Sequence, residues 1–186
     1  PRTPPAPLGA LVATAFDPQD PRMSILGPLL IVLLTVAVME AVAYSVHRWI
    51  MHGPLGWGWH KSHHEETHGP FEKNDLYAVV FAVISILLFA IGSAWWPWLW
   101  WVAVGASVYG VIYFVVHDGL VHQRWPFRYV PKRGYFRRLY QAHRLHHAVE
   151  GRDGCVSFGF LYAPPIARLK ARLARGRGSV WPPEQG

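Results

Sequence analysis

A single cysteine, Cys155, in 186 residues leaves no intramolecular disulfide framework and no self-contained iron-sulfur cluster, since each needs several thiols. Charge is also scarce. Only 16% of the residues are Asp, Glu, Lys or Arg against 52% hydrophobic, a balance that suits a bilayer better than a soluble domain. Acidic residues are the rarer sign, 11 against 18 Lys and Arg, for a formal charge of +7. The basic residues flank apolar runs, which points to anionic lipid or an acidic protein partner and to no nucleic acid. No Gly-rich dinucleotide fingerprint and no haem attachment motif occurs, so electrons for any redox chemistry must come from outside the chain. Residues 1–22 are broken by prolines and lack the basic start, long apolar core and cleavage pattern of a secretory signal, so they read as a flexible Pro-rich leader.

What is abundant is histidine, and its arrangement organises the chain. Ten of the eleven histidines fall into four boxes. HxxxxH holds His47 and His52, HxxHH holds His60, His63 and His64, and the pair recurs as His117 and His122, then His143, His146 and His147. Only His68 stands outside. At 3.6 residues per turn, the members of HxxHH lie within roughly 100° of one another on a helix and share one space. The members of HxxxxH are about 140° apart on an ideal helix, so the second must sit at a helix end or in a slightly unwound turn. A lone histidine is usually a core or surface residue with an ordinary partner. Ten together would leave many polar nitrogens unsatisfied, and protonating them would add repulsion. Metal binding resolves both problems. Imidazoles suit iron, zinc, copper or nickel, and ten of them exceed the needs of one ion, so two metals are expected.

Apolar runs at 25–46, 76–96 and 99–116 are each near the length that crosses a ~30 Å hydrocarbon layer. The last two are joined by the bend Trp96-Pro97-Trp98, an aromatic belt. Two crossings separate His64 from His117, so all four boxes return to the same membrane face. Thirteen of the eighteen Lys and Arg residues follow His117, which puts that face in the cytoplasm of a multi-pass inner-membrane protein. The segment 155–167 is too short and too Pro-broken to span and reads as a re-entrant or interfacial cover. Residues 168–186 read as a basic interfacial or disordered tail, with 23–167 as the membrane domain. Glu40 is the only charge in the first run. It is read either as an interfacial glutamate or as an acid supporting the metal site, because an intramembrane carboxylate normally faces the protein interior. The fold expected is all-α: a membrane bundle of three to four helices with a histidine-rich dimetal cap.

Boxes at the ends of spans fit metal transport poorly, and hydrolysis would call for carboxylates among the ligands. An imidazole-bound metal pair beside lipid suits oxidation of a C–H bond in an apolar substrate. The boxes with their surroundings, HRWIMHGPLGWGWHKSHHE, NDLYAVVFA, HDGLVHQRWPFRYVP and AHRLHHAVEGRDGCVSFGFLYAPP, resemble the carotenoid β-ring hydroxylases of the fatty-acid hydroxylase superfamily of membrane di-iron enzymes. The likeness runs from about Met23 to Pro165. It implies an O2-dependent monooxygenase that uses two external electrons, from a ferredoxin-type donor, to hydroxylate carbon 3 of β-ionone rings. The route would run from β-carotene through β-cryptoxanthin to zeaxanthin, with ketolated rings towards astaxanthin as a further substrate class. It also implies iron as the metal, which zinc can replace during purification, with the ten box histidines as its ligands and no catalytic residue beyond them. Asp75, Asp118, Glu150 and Asp153 join Glu40 as candidates to accept the outer N–H of a ligand imidazole. Tyr44, Trp49, Tyr77, Phe114 and Tyr140 are candidates to line a slot for the substrate ring. The alternatives are a related hydroxylase or ketolase acting on another lipid, and a non-catalytic haem- or metal-binding membrane protein.

Overall fold

A computed structural model describes residues 25–65, 71–126 and 128–179. Among the described residues all regular structure is helical, in the order α1 (Leu26–Ser45), α2 (Trp57–His64), α3 (Asp75–Ala94), α4 (Pro97–Tyr113), α5 (Gly134–His146) and α6 (Ile166–Ser179). α1 and α4 run without a break into π-helical segments, Val46–Met51 and Phe114–Val121. Counting those extensions, Leu26–Met51, Asp75–Ala94 and Pro97–Val121 are each long and apolar enough to cross a membrane. Their outer faces expose Leu29, Leu33, Val80, Val83 and Val108, as lipid-facing surfaces do.

Close helix contacts depend on small residues. A Cβ on Gly105 of α4 would lie 2.6 Å from the Thr35 Cβ of α1, and one on Gly92 of α3 would lie 2.5 Å from the Trp100 backbone nitrogen of α4. Between transmembrane helices, where lipid removes the hydrophobic drive to associate, such backbone approach is what gains packing energy. Pro97 starts α4, where its missing N–H costs nothing. Trp95, Trp96 and Trp98 stand exposed around that turn, at the end of the bundle away from the histidines. α1 and α3 each pack along α4, and a cleft is left between them.

A cap closes the histidine end. Val116, Leu139, Ala142, Val156, Ala163, Leu169 and Leu173 form its core, drawn from the second π segment, α5, the loop after it and α6. The segment expected as a re-entrant or interfacial cover is an extended strap over the imidazoles, running from Cys155 to Pro165. The tail boundary expected at residue 168 falls inside α6. Leu169 and Leu173, four apart on one face, are buried in the cap core while Arg168, Lys170 and Arg172 remain exposed. That helix is therefore docked on protein and does not merely lie on headgroups. The leader, His68 and residues 180–186 lie outside the described residues.

Candidate metal centre

The π segments answer the geometric problem posed by HxxxxH. In a π turn the hydrogen bond runs from residue i+5 to residue i, which stacks residues five apart. The His52 N–H donates to the His47 carbonyl at 3.0 Å, and the His122 N–H donates to the His117 carbonyl at 2.9 Å. Both copies thus widen the helix at the histidine pair, and the two rings of each pair come within 5.2 and 4.5 Å, centroid to centroid.

All ten box histidines meet at this end of the bundle, and they do so as two sets of five. His47, His52, His60 and His146 present nitrogens to one point, and His63, His117, His122 and His143 to another. His64 groups with the first set, since one of its ring nitrogens lies within 4.8 Å of ring nitrogens of His52 and His146, with the Cys155 Sγ in the same group. His147 belongs with the second, its Nε2 2.9 Å from that of His143. Helix geometry explains the division. On α2 and α5, residues i and i+4 lie about 40° apart and residue i+3 lies about 60° to the other side. His60 and His64 therefore stay together while His63 crosses to the other set, and His143 and His147 stay together while His146 crosses.

The outer nitrogens show why a cation fits. Nδ1 of His47 lies 2.9 Å from the Phe158 carbonyl, that of His52 2.8 Å from the Arg152 carbonyl, that of His64 3.0 Å from the Val149 carbonyl and that of His146 3.0 Å from the Val156 carbonyl. Side chains hold three more: Asn74 Oδ1 at 2.7 Å from His60, Glu72 Oε2 at 2.8 Å from His63 and Asp118 Oδ1 at 2.7 Å from His117. Against a carbonyl or carboxylate, Nδ1 must carry the proton, which leaves Nε2 bare. Yet Nε2 atoms face one another at 3.1 Å (His47 and His60, His52 and His60) and 3.2 Å (His52 and His146, His63 and His117). The His64 Nε2 is buried with no hydrogen-bond partner. Two lone pairs at that separation repel. Two nitrogens bound at right angles to one ion at about 2.1 Å would sit about 3.0 Å apart, so a cation in each set converts the repulsion into coordination.

Burial keeps the imidazoles outside the spans neutral, with repulsion from neighbouring charge adding to it. His60 is pushed down to about 3, His64 and His122 to about 4 and His147 to about 2, and His63, His143 and His146 lie well below the ordinary value. These depressed values give a sign for stability. The unfolded chain binds protons near pH 6.5 and the folded one does not, so stability is complete above that pH and falls as pH drops towards the folded values. Metal-free protein in detergent should keep a constant Tm from about pH 8 to 7 and melt progressively lower down to about pH 5. A melt independent of pH would mean that the imidazoles are already charged or exposed.

The expected supporting acids fare unequally. Asp118 holds His117 directly. Asp75 acts at one remove, bidentate to Arg124 at 2.9 Å while Arg124 also lies 3.8 Å from Asp118. Glu40 touches the strap instead of an imidazole. Glu150 is exposed, and Asp153 is an exposed partner of Arg152 at 3.5 Å. Their place is taken by main-chain carbonyls between Val149 and Phe158, which leave no trace in residue type. Glu72 and Asn74 were missed although a signal existed: the polar run EKND closes the segment that follows the first HxxHH box and leads straight into α3.

An apolar cavity of about 530 Å³ fills the cleft between α1 and α3, backed by α4. Tyr77 and Phe114 line it, whereas Tyr44, Trp49 and Tyr140 do not. Tyr44 accepts from Arg48, Trp49 is 64% exposed, and Tyr140 accepts from Arg144. At the histidine end the cavity meets Tyr113 and Phe160. Tyr113 stacks on His117 at 4.5 Å and Phe160 on His47 at 5.2 Å, with the two rings edge to face at 4.7 Å. A smaller opening of about 240 Å³, lined by His63, His64, Glu65, Val121, His122, His143, Arg144 and His147, gives a second approach to the imidazoles.

A model of the fatty acid hydroxylase family matches residues 32–164. The chain is 75% identical over 146 residues to a protein named beta-carotene hydroxylase from Paracoccus sp. (strain PC1), covering 78% of this chain and 90% of that protein. A beta-carotene hydroxylase from Pantoea ananas is 62% identical over 151 residues, covering 81% and 85%. A chloroplastic beta-carotene 3-hydroxylase from Haematococcus lacustris is 39% identical over 150 residues, covering 77% and 46%. No solved structure matches the chain.

Proposed function

The chain belongs to the fatty acid hydroxylase family, and from that premise we propose that it is an O2-dependent carotenoid hydroxylase acting on carbon 3 of β-ionone rings. It would take β-carotene through β-cryptoxanthin to zeaxanthin, with ketolated rings towards astaxanthin as further substrates. The observation that carries this reading is the apolar cavity between two membrane helices, whose inner end is walled by Tyr113 and Phe160, rings that stack directly on His117 and His47 of the histidine cluster. A substrate dissolved in lipid reaches such a cavity without entering water.

The proposed ligands are His47, His52, His60, His64 and His146 for one iron and His63, His117, His122, His143 and His147 for the other. Bound there, an iron pair would supply O2 activation, the overall reaction inserting one oxygen atom into the C–H bond and reducing the other to water with two external electrons and two protons. The chain's own residues do the rest. Glu72, Asn74 and Asp118 hold the Nδ1 protons of three ligands and so fix which nitrogen faces the metal. The cavity walls orient the ring, and Tyr113 and Phe160 separate it from the imidazoles. No separate general acid or base is assigned.

By the positive-inside rule the histidine end lies on the cytoplasmic side of the inner membrane. There Lys132, Arg133, Arg137, Arg138 and Arg144 are exposed, a surface suited to an acidic ferredoxin-type donor. Ferredoxin-supported turnover should fall steeply as salt rises from about 0.05 to 0.3 M, and indifference to salt would exclude docking by charge. The activity itself is tested by expression in a β-carotene-producing cell with pigment analysis. Zeaxanthin should appear with the intact chain and not with His63→Ala. Unchanged β-carotene from well-expressed, iron-loaded and reductant-supplied protein overturns the reading.

A further inference from the structure

Glu40 sits in the middle of the chemistry without touching an imidazole. On α1 it lies seven residues before His47, two helical turns away. A carboxylate in a membrane span is costly unless donors surround it. Here its Oε1 accepts three consecutive main-chain N–H groups, from Phe160 and Leu161 at 3.0 Å and from Tyr162 at 2.9 Å. Its Oε2 accepts the Tyr109 hydroxyl of α4 at 2.8 Å. Successive N–H groups converging on one oxygen form an anion nest, and each such bond to a charged acceptor is stronger than a neutral one. The fit is close. A Cβ on Gly159 would lie 2.8 Å from that same Oε1 and 2.7 Å from the Tyr162 carbonyl oxygen, so the strap closes over the carboxylate only because residue 159 is glycine.

What the strap carries gives this buckle its meaning. The Val156 and Phe158 carbonyls accept from Nδ1 of His146 and His47, two imidazoles of the same set. The Phe160 ring lies face to face with His47 and lines the apolar cavity. Ser157 holds a φ of 62° without being glycine, so the strap is kept in a conformation its own sequence does not favour. We infer that Glu40, with Gly159, is a positioning residue: by clamping residues 160–162 it fixes the aim of His47 and His146 at the metal and sets Phe160 as the wall against which the substrate ring is registered.

The regiochemical part of this inference rests on the proposed hydroxylation, whereas the clamp itself does not. Glu40→Ala should leave the ten imidazoles in place and bind two equivalents of cobalt(II). The visible absorption of the cobalt-substituted full-length protein in nanodiscs should nevertheless change, because two imidazoles lose their fixed orientation. With iron, turnover should drop roughly 10–100-fold, the loss expected for groups that orient metal ligands. A larger share of product should carry hydroxyl at ring positions other than carbon 3. Glu40→Gln keeps an oxygen for the three N–H groups and can donate its amide to Tyr109, so it should recover most of both effects. Gly159→Ala, which leaves Glu40 itself intact, should reproduce the alanine phenotype and serves if Glu40→Ala fails to fold.

A cobalt spectrum identical to the parent's in both Glu40→Ala and Gly159→Ala overturns the clamp, as does failure of Glu40→Gln to recover. The spectrum needs no substrate, so the two readings can fail separately. An altered spectrum with a parent protein that hydroxylates no carotenoid sinks the proposed function alone. An unchanged spectrum with an active parent sinks the clamp alone.

Discussion

Replacing His146 by alanine should abolish zeaxanthin formation and lower the metal content from two ions per chain to one. His146 is the histidine of its box that crosses to the other set, its Nε2 3.2 Å from that of His52 and its Nδ1 3.0 Å from the Val156 carbonyl. It is fully buried. Truncation therefore removes one of the five proposed donors, opens a void beside His47 and leaves the Val156 carbonyl without its imidazole partner. Partners outside the coordination sphere already change activity about 10–100-fold, so loss of a proposed ligand should exceed about 100-fold. Metal analysis of the purified variant beside pigment analysis in cells checks both parts. Because His143 and His147 face the second set, that set should keep its ion. Two ions retained with normal hydroxylation would dissolve the division into two fives.

The second large effect separates substrate from metal. Gly110 lines the apolar cavity on α4, and a Cβ built there meets nothing within 4 Å. Gly110→Phe should place a ring in the cavity without pressing helix against helix. The expected result is loss of hydroxylation by more than about 100-fold, with two metals bound and Tm unchanged or raised, since a filled void and a residue other than glycine both favour a helix. The contrast with Gly105 is instructive. There a Cβ would collide with Thr35 of α1, so a side chain would be felt as lost packing and not as lost access. If Gly110→Phe hydroxylated β-carotene normally, the ring would have to reach the imidazoles by another route, and the smaller opening beside His147 and Arg144 would be the one left to consider.

Much of this is legible in the amino-acid sequence. The three spans follow from apolar runs of about twenty residues, and their ends moved by only a few positions except where π segments carry α1 to Met51 and α4 to Val121. That extension is itself foreshadowed by HxxxxH, which an ideal α-helix cannot aim at one point. The division of HxxHH was also present in the spacing, as the 40° and 60° offsets of residues i+4 and i+3. It could not be read as two sets without knowing that another helix faces each side. The supporting acids were the weakest part. Asp118 is adjacent in sequence to the imidazole it holds, so proximity found it. Glu72 and Asn74 reach His63 and His60 only because the segment after the first HxxHH box folds back over α2.

Composition, apolar run length and histidine spacing by themselves determined that this chain is an all-helical membrane protein with four histidine boxes on one side, because hydropathy and helical period are local properties. Tertiary structure alone decided which five imidazoles share a point, that main-chain carbonyls hold four of them, and that Glu40 serves the strap and not a ring. Carbonyl groups are the same in every residue and their positions depend on the path of a loop. No local pattern therefore encodes them, and only the path of the chain from Val149 through the strap to Phe158 puts them where the Nδ1 protons point.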